Sequence, residues 1–73
     1  MWVFRSAIGP IYIKRLSDGM YVTEWNGVDY EKSDDPEALA ANVYTRTTGC
    51  RKWDNRKALF EDVPHDLSEW ERV

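Results

Sequence analysis

Residues 20–44 read MYVTEWNGVDYEKSDDPEALAANVY, and this stretch predicts both the sheet and the helix of the fold. At its centre, Asn26-Gly27 stands between two runs of β-forming residues. Both residues tolerate the left-handed conformation that a type I′ turn requires, so the pair is a strong hairpin signal. We therefore expect strands at residues 20–25 and 28–31, joined by this turn.

The second half of the stretch predicts one α-helix over residues 36–48. Pro36 suits the first helical position, where no backbone N–H is needed. Asp35 then falls at the N-cap, where its carboxylate accepts a free backbone N–H. Three apolar residues share one face at helical spacing: Leu39, Ala40 and Val43. Gly49 is the expected C′ residue, with a positive φ.

The residues before this stretch predict two more strands of an antiparallel meander. Runs of β-forming residues occupy positions 2–8 and 11–16, and each is followed by turn residues. We expect three tight turns, at the pairs Gly9-Pro10, Asp18-Gly19 and Asn26-Gly27. Because side chains alternate between the two faces of a strand, these turns assign every residue of the meander to a face.

The two predicted faces differ in chemistry. The first is the better core against the helix, because it is largely aliphatic, and it comprises Trp2, Phe4, Ile8, Ile11, Ile13, Met20 and Val22. The second is half aromatic and half polar, and it comprises Val3, Ala7, Tyr12, Leu16, Tyr21, Trp25, Val28 and Tyr30, with Arg5, Lys14 and Thr23 among them. The C-terminal segment either covers this second face, through Trp53, Phe60 and Trp70, or leaves it partly open.

The pattern weakens after the helix. Residues 51–57 are polar around Trp53, and residues 58–63 fit a short strand that Pro64 ends. Residues 66–73 fit either a helical turn capped by Asp66 or an edge strand. The sequence thus predicts an α+β fold in one domain, residues 1–73. An N-terminal antiparallel β-meander of three to four strands packs against one α-helix, and a short irregular or strand segment follows.

Composition restricts the setting and the chemistry. The chain has 73 residues and a net charge of −3, with one cysteine, Cys50, and one histidine, His65. A single cysteine excludes an internal disulfide and suits a reducing, cytoplasmic location. No run approaches the roughly 20 apolar residues of a membrane span. A structural zinc site needs four Cys or His ligands, and no phosphate-binding glycine motif is present. We expect no enzyme, metal or cofactor.

Charge is segregated along the chain, and this suggests a binding surface. Residues 24–37 are mostly acidic and adjoin the aromatic face. They predict a protein-binding patch, with aromatic anchors and an acidic rim, at Tyr12, Tyr21, Trp25, Tyr30, Asp29, Glu31, Asp34 and Asp35. An alternative is single-stranded nucleic-acid binding by the aromatic sheet face and the basic segment, at Arg46, Arg51, Lys52, Trp53, Arg56 and Lys57. A third reading is a structural homo-oligomer that buries the aromatic face.

A pattern of short motifs carries a resemblance. It comprises Asn26-Gly27, Asp35-Pro36, Gly49-Cys50, Trp53-Asp54, Val63-Pro64 and Asp66-Leu67-Ser68-Glu69-Trp70. With it the chain resembles small uncharacterised proteins of Gram-positive bacteria and their prophages. The resemblance implies no activity and no residue roles. It implies a mobile-element protein, such as a phage or prophage inhibitor of a host defence enzyme that acts stoichiometrically on its target.

Overall fold

The computed structural model describes residues 1–55 and 63–73 and has the predicted α+β fold. A four-strand antiparallel meander carries one main helix on one face, and a fifth strand joins its edge in the order β4-β3-β2-β1-β5. The strands are β1 (Trp2–Ser6), β2 (Gly9–Arg15), β3 (Tyr21–Trp25), β4 (Val28–Ser33) and β5 (Glu71–Arg72). The helices are α1 (Pro36–Thr45), α2 (Arg51–Asp54) and a 3₁₀ turn at Leu67–Glu69.

The Asn26-Gly27 hairpin is confirmed. Both residues have positive φ, 54° and 77°, and the flanking residues Trp25 and Val28 pair directly. A β-bulge then shifts the register of β3 against β4 between Val22 and Glu24. Such a bulge places one extra residue on β4 and bends this edge strand locally.

The tight turn expected between β2 and β3 is wrong. Leu16 donates its N–H to the Met20 carbonyl at 2.7 Å, and Gly19 donates its N–H to the Leu16 carbonyl at 3.1 Å. The loop therefore has three residues, a turn closed by a glycine with φ +85°. One extra loop residue shifts the register by one, so every side chain of β3 lies on the face opposite to the predicted one.

The turn between β1 and β2 is also displaced. Ser6 pairs with Gly9, so the chain reverses at residues 7–8 and not at Gly9-Pro10. This shift is an even number of residues, and it leaves the faces of both strands unchanged. Phe4 and Ile11 are direct partners, and they lie on the core side as expected.

The helix-covered side of the sheet, called here the inner face, combines both predicted sets. Ile11 and Ile13 are buried there with α1, and Trp2, Phe4 and Ile8 pack against them as predicted. The observed register adds Tyr21, Thr23 and Trp25 from β3 to this face. Val22 lies on the opposite side of the sheet, called here the outer face, and Met20 precedes the strand. The core therefore uses aromatic area that had been assigned to the other side of the sheet.

Helix α1 begins as predicted and ends early. Asp35 is the N-cap and accepts the Glu37 N–H at 3.0 Å, and Pro36 is the first helical residue. The predicted end near residue 48 is wrong, because Arg46 takes the left-handed conformation at φ 60° and closes the helix after Thr45. Gly49 does have the predicted positive φ, 86°, but it lies in the following loop.

The C-terminal segment satisfies both predicted alternatives in succession. The Asp66 carboxylate caps the 3₁₀ turn by accepting the Ser68 N–H at 3.0 Å, and β5 then pairs with β1. Between these two elements Trp70 turns into the core beside Phe4, with ring centroids 5.8 Å apart. The strand expected at 58–63 lies outside the described residues, except for Val63.

The contact between α1 and the sheet predicts a large effect for Leu39→Ala. The Leu39 side chain is 0% exposed, so its truncation leaves a cavity between the helix and β2. We expect unfolding to become easier by about 2–5 kcal/mol, measured by urea denaturation. Ala41→Ser on the exposed side of the same helix is the control and should cost under about 0.5 kcal/mol. Equal small costs for both variants would contradict the packing.

Candidate functional site

The acidic half of the predicted protein-binding set lies together at one edge of the sheet. We call this surface the acidic edge, and it comprises Asp29, Glu31, Asp34 and Asp35, on β4 and in the loop that leads to α1. Strand β4 is the first in the strand order β4-β3-β2-β1-β5, so one of its two edges pairs with no described strand. Val28, at the hairpin end of this edge, is 50% exposed. The edge thus offers an apolar side chain beside carboxylates.

The four carboxylates of the acidic edge differ in how firmly they are held. Asp29 contacts the Lys14 ammonium at 3.1 Å. Glu31 accepts a hydrogen bond from the Asn42 amide of α1, and Asp35 caps α1. Asp34 is exposed and has no hydrogen bond or ion pair to any other described residue. It is therefore the carboxylate most available to a partner.

The aromatic half of the set does not form one exposed patch. Tyr21, Trp25 and Tyr30 are partly buried and pack against the core. The Trp25 indole donates its N–H to the Ile8 carbonyl at 2.9 Å, so it anchors the turn after β1. A hydrogen bond with the side chain of Cys50 raises the pKa of Tyr30 above its ordinary value of 10.0. The Trp25 and Tyr30 rings therefore contribute mainly to the fold.

Tyr12 lies apart from the other three aromatic residues, on the outer face. Its direct partners across the sheet are Val3 on β1 and Glu24 on β3. Beside it, Lys14 contacts Glu24 at 2.6 Å, and hydrogen bonds to Glu24 and Asp29 raise the pKa of Lys14. The outer face therefore carries paired charges and two buried valines, Val3 and Val22, around one tyrosine, and it lacks the predicted aromatic cluster.

The basic segment, which is the alternative nucleic-acid-binding site, has its one aromatic residue, Trp53, buried in the core. Trp53 is 1% exposed, and its indole donates its N–H to the Val43 carbonyl at 2.8 Å. The Arg46 guanidinium lies 4.5 Å from the centre of the Trp53 ring, so it is also engaged. Arg51 and Lys52 on α2 are exposed. The remaining members, Arg56 and Lys57, lie outside the described residues.

The single cysteine and the single histidine of the chain have separate partners. Cys50 is buried and interacts with Tyr30. His65 is exposed, its Nδ1 lies 3.4 Å from the Glu69 carboxylate, and its ring lies 4.8 Å from that of Tyr44. Nothing in this arrangement joins the thiol to the imidazole. Within residues 1–55 and 63–73, no three His, Cys, Asp or Glu side chains are grouped as a metal site requires.

Sequence reasoning missed a second group of polar and aromatic side chains, at the far end of the inner face. Trp2 and Tyr21 lie there with ring centroids 6.0 Å apart, and the Arg72 guanidinium lies 5.1 Å from the Trp2 ring. The group depends on the pairing of β5 with β1, which joins the two ends of the chain. No local signal in the sequence predicts such a pairing.

Comparison with known proteins leaves the geometry as the main source of inference. No family model, curated protein or solved structure matches the chain. Among the described helices, none is long and apolar enough to cross a membrane.

Two carboxylates outside the acidic edge, Asp18 and Asp66, accept hydrogen bonds in the folded chain. We expect these hydrogen bonds to make the stability of the fold depend on pH. Asp18 accepts the Met20 N–H and contacts Lys32, and Asp66 accepts hydrogen bonds from the N–H and hydroxyl of Ser68. These hydrogen bonds lower the pKa of both carboxyl groups below 3.8. Below pH 3.8, the unfolded chain therefore binds more protons than the folded one. Stability should fall as the pH drops through the lowered pKa values.

The measurement is urea denaturation at about pH 6 and about pH 3, on the wild type and on a variant with Asp18→Asn and Asp66→Asn. Asparagine retains the capping hydrogen bonds without titrating. The variant should lose less stability than the wild type between the two pH values. An equal loss in both proteins would show that these two carboxyl groups do not carry the effect.

Proposed function

We propose that the protein is a non-enzymatic binding module that acts stoichiometrically on a protein partner through the acidic edge. The observation that carries this proposal is the open side of β4. An unpaired edge strand presents free backbone N–H and C=O groups that an extended segment of another chain can pair with. Val28 adds exposed apolar surface, and Asp34 adds a carboxylate without a described partner.

The charge of the edge favours a basic partner. Two lysines lie beside its four carboxylates: Lys14 contacts Asp29 at 3.1 Å, and Lys32 contacts Asp18 at 3.0 Å. Complementary charge speeds encounter and selects the partner. A protein that binds nucleic acid presents such a basic surface, and clustered carboxylates imitate the field of its phosphates. With the resemblance to prophage proteins, this supports inhibition of a host defence enzyme in the cytoplasm as the most concrete form of the proposal.

The two alternatives draw less support from the described contacts. Symmetric pairing of β4 with a second copy would bring the same carboxylates together, and such like-charge contacts are unfavourable. This weighs against a homo-oligomer built on the acidic edge. The homo-oligomer expected from the sequence, which buries the aromatic face, would lack Tyr21, Trp25 and Tyr30, because these rings pack against the core. Nucleic-acid binding by the basic segment would lack Trp53, which is buried, and would depend on Arg51 and Lys52 among its described members.

The test compares two variants with the same change in net charge. Asp34→Lys reverses the one carboxylate of the edge that has no described partner, so no described contact within the protein is broken. The control adds two lysines elsewhere, as Ser17→Lys with Ala41→Lys, at exposed positions. Asp35 is left intact, because loss of this N-cap would cost about 1 kcal/mol of stability.

Each immobilised protein is incubated with extract from the native host. The captured proteins are identified, and their molar ratio to the immobilised protein is measured. We expect one protein to be retained at equimolar ratio by the wild type and by the control, and to be lost or strongly reduced with Asp34→Lys. Association should also slow as salt is added, because the attraction is screened. Equal capture by both variants would place the partner on another surface.

A further inference from the structure

The group that sequence reasoning missed is a compact surface built by four strands. We call it the cationic aromatic patch, and its members are Trp2 on β1, Arg15 on β2, Tyr21 on β3 and Arg72 on β5. The Trp2 and Tyr21 rings meet at an interplanar angle of 49°. Both rings are partly buried, so each keeps some exposed surface.

Register places these four side chains on one face of the sheet. Arg72 is the direct partner of Trp2, and Arg15 is the direct partner of Tyr21. Direct partners in an antiparallel pair project from the same face. Trp2 also pairs with Ile13, which is buried in the core, so the whole patch belongs to the inner face. The rings pack against the core cluster, and the Arg72 guanidinium lies 5.1 Å from the Trp2 ring.

The arginines of the patch differ from the cations of the outer face. Arg5, Lys14 and Lys32 each contact a carboxylate within 3.1 Å. Arg15 and Arg72 are exposed, and neither forms an ion pair with a carboxylate of residues 1–55 and 63–73. The patch thus keeps two charges available for an outside anion, in a chain whose net charge is −3.

We propose that the cationic aromatic patch binds single-stranded nucleic acid. Aromatic rings provide the flat apolar surface on which an unpaired base stacks, and this contact tolerates any sequence. A guanidinium binds phosphate through two parallel hydrogen bonds and also stacks on bases. Strands β3, β2, β1 and β5 are adjacent in that order, so the four residues alternate ring and arginine across the sheet, as base and phosphate alternate along a single strand. This inference does not depend on the proposed protein-binding function, which uses the acidic edge.

Single strands fit the patch better than two other anionic ligands. A duplex hides its base faces, so it would engage the arginines without the rings. An acidic peptide would likewise use the charges and leave Trp2 and Tyr21 without a stacking partner. A preference of the protein for single strands over duplex and over polyglutamate would therefore identify single-stranded nucleic acid as the ligand of the patch.

The experiment measures fluorescence anisotropy of a labelled oligothymidylate and a labelled oligouridylate, each about 15 nucleotides long, as the full-length protein is added at low salt. The test variant carries Arg15→Gln and Arg72→Gln. The control carries Arg51→Gln and Lys52→Gln, which removes the same charge from α2. All proteins are first compared by circular dichroism and melting temperature. If the double variant has a lower melting temperature than the wild type, the single variants Arg15→Gln and Arg72→Gln are used in its place.

We expect the wild type to bind both oligonucleotides, and the test variant to bind at least about tenfold more weakly while the control stays within about twofold. The slope of log affinity against log salt should decrease in magnitude by about 1.4 in the test variant, for two lost phosphate contacts. Tyr21→Leu should weaken binding by about tenfold without this change of slope, because stacking involves no counterion release.

Four results would overturn the inference. The first is the absence of wild-type binding at low salt, and the second is an equal loss of affinity in the test and control variants. The third is binding of a duplex as tightly as the single strand. The fourth is displacement of the oligonucleotide by polyglutamate at the same charge concentration, which would indicate an acidic protein segment as the ligand. The protein-capture result with Asp34→Lys is unaffected by any of these.

Discussion

The register between β2 and β3 is the constraint on which the rest of the structure depends. The hydrogen bond from the Leu16 N–H to the Met20 carbonyl, 2.7 Å long, closes a three-residue loop and fixes that register. With it, Tyr21 and Trp25 lie on the inner face with the helix, and Val22 lies outside. A loop shorter by one residue would exchange these positions and expose the aromatic side chains. The face on which every β3 side chain lies therefore follows from the length of one loop.

A second contact fixes the path of the chain after the helix. Arg46 takes a left-handed conformation, which costs a residue with a Cβ roughly 1–2 kcal/mol. Its guanidinium lies over the Trp53 ring and also donates to the Trp53 carbonyl at 3.3 Å. These contacts offset the strain, and Trp53 in turn donates to the Val43 carbonyl at the end of α1. Within the basic segment, Trp53 is therefore part of the core, whereas Arg51 and Lys52 are exposed.

Sequence reasoning predicted the features that local chemistry controls. The Asn26-Gly27 turn and the Asp35 N-cap depend on residues within a few positions, and both were predicted correctly. The end of α1 was predicted at the wrong residue, because the contact between Arg46 and Trp53 forms only in the folded chain. The acidic edge was visible as a run of charge, whereas the burial of its aromatic neighbours depended on loop length. The pairing of Arg72 with Trp2 joins distant parts of the chain, so no spacing rule could predict it.

The measurement that tests this account most directly is the cross-strand pairing of β3 in solution, from NMR contacts between main-chain protons of β2 and β3. The account predicts that Thr23 lies opposite Ile13 and that Tyr21 lies opposite Arg15. Contacts that place Thr23 opposite Lys14 would indicate a two-residue turn. They would contradict the assignment of every β3 side chain, and with it both the core and the cationic aromatic patch.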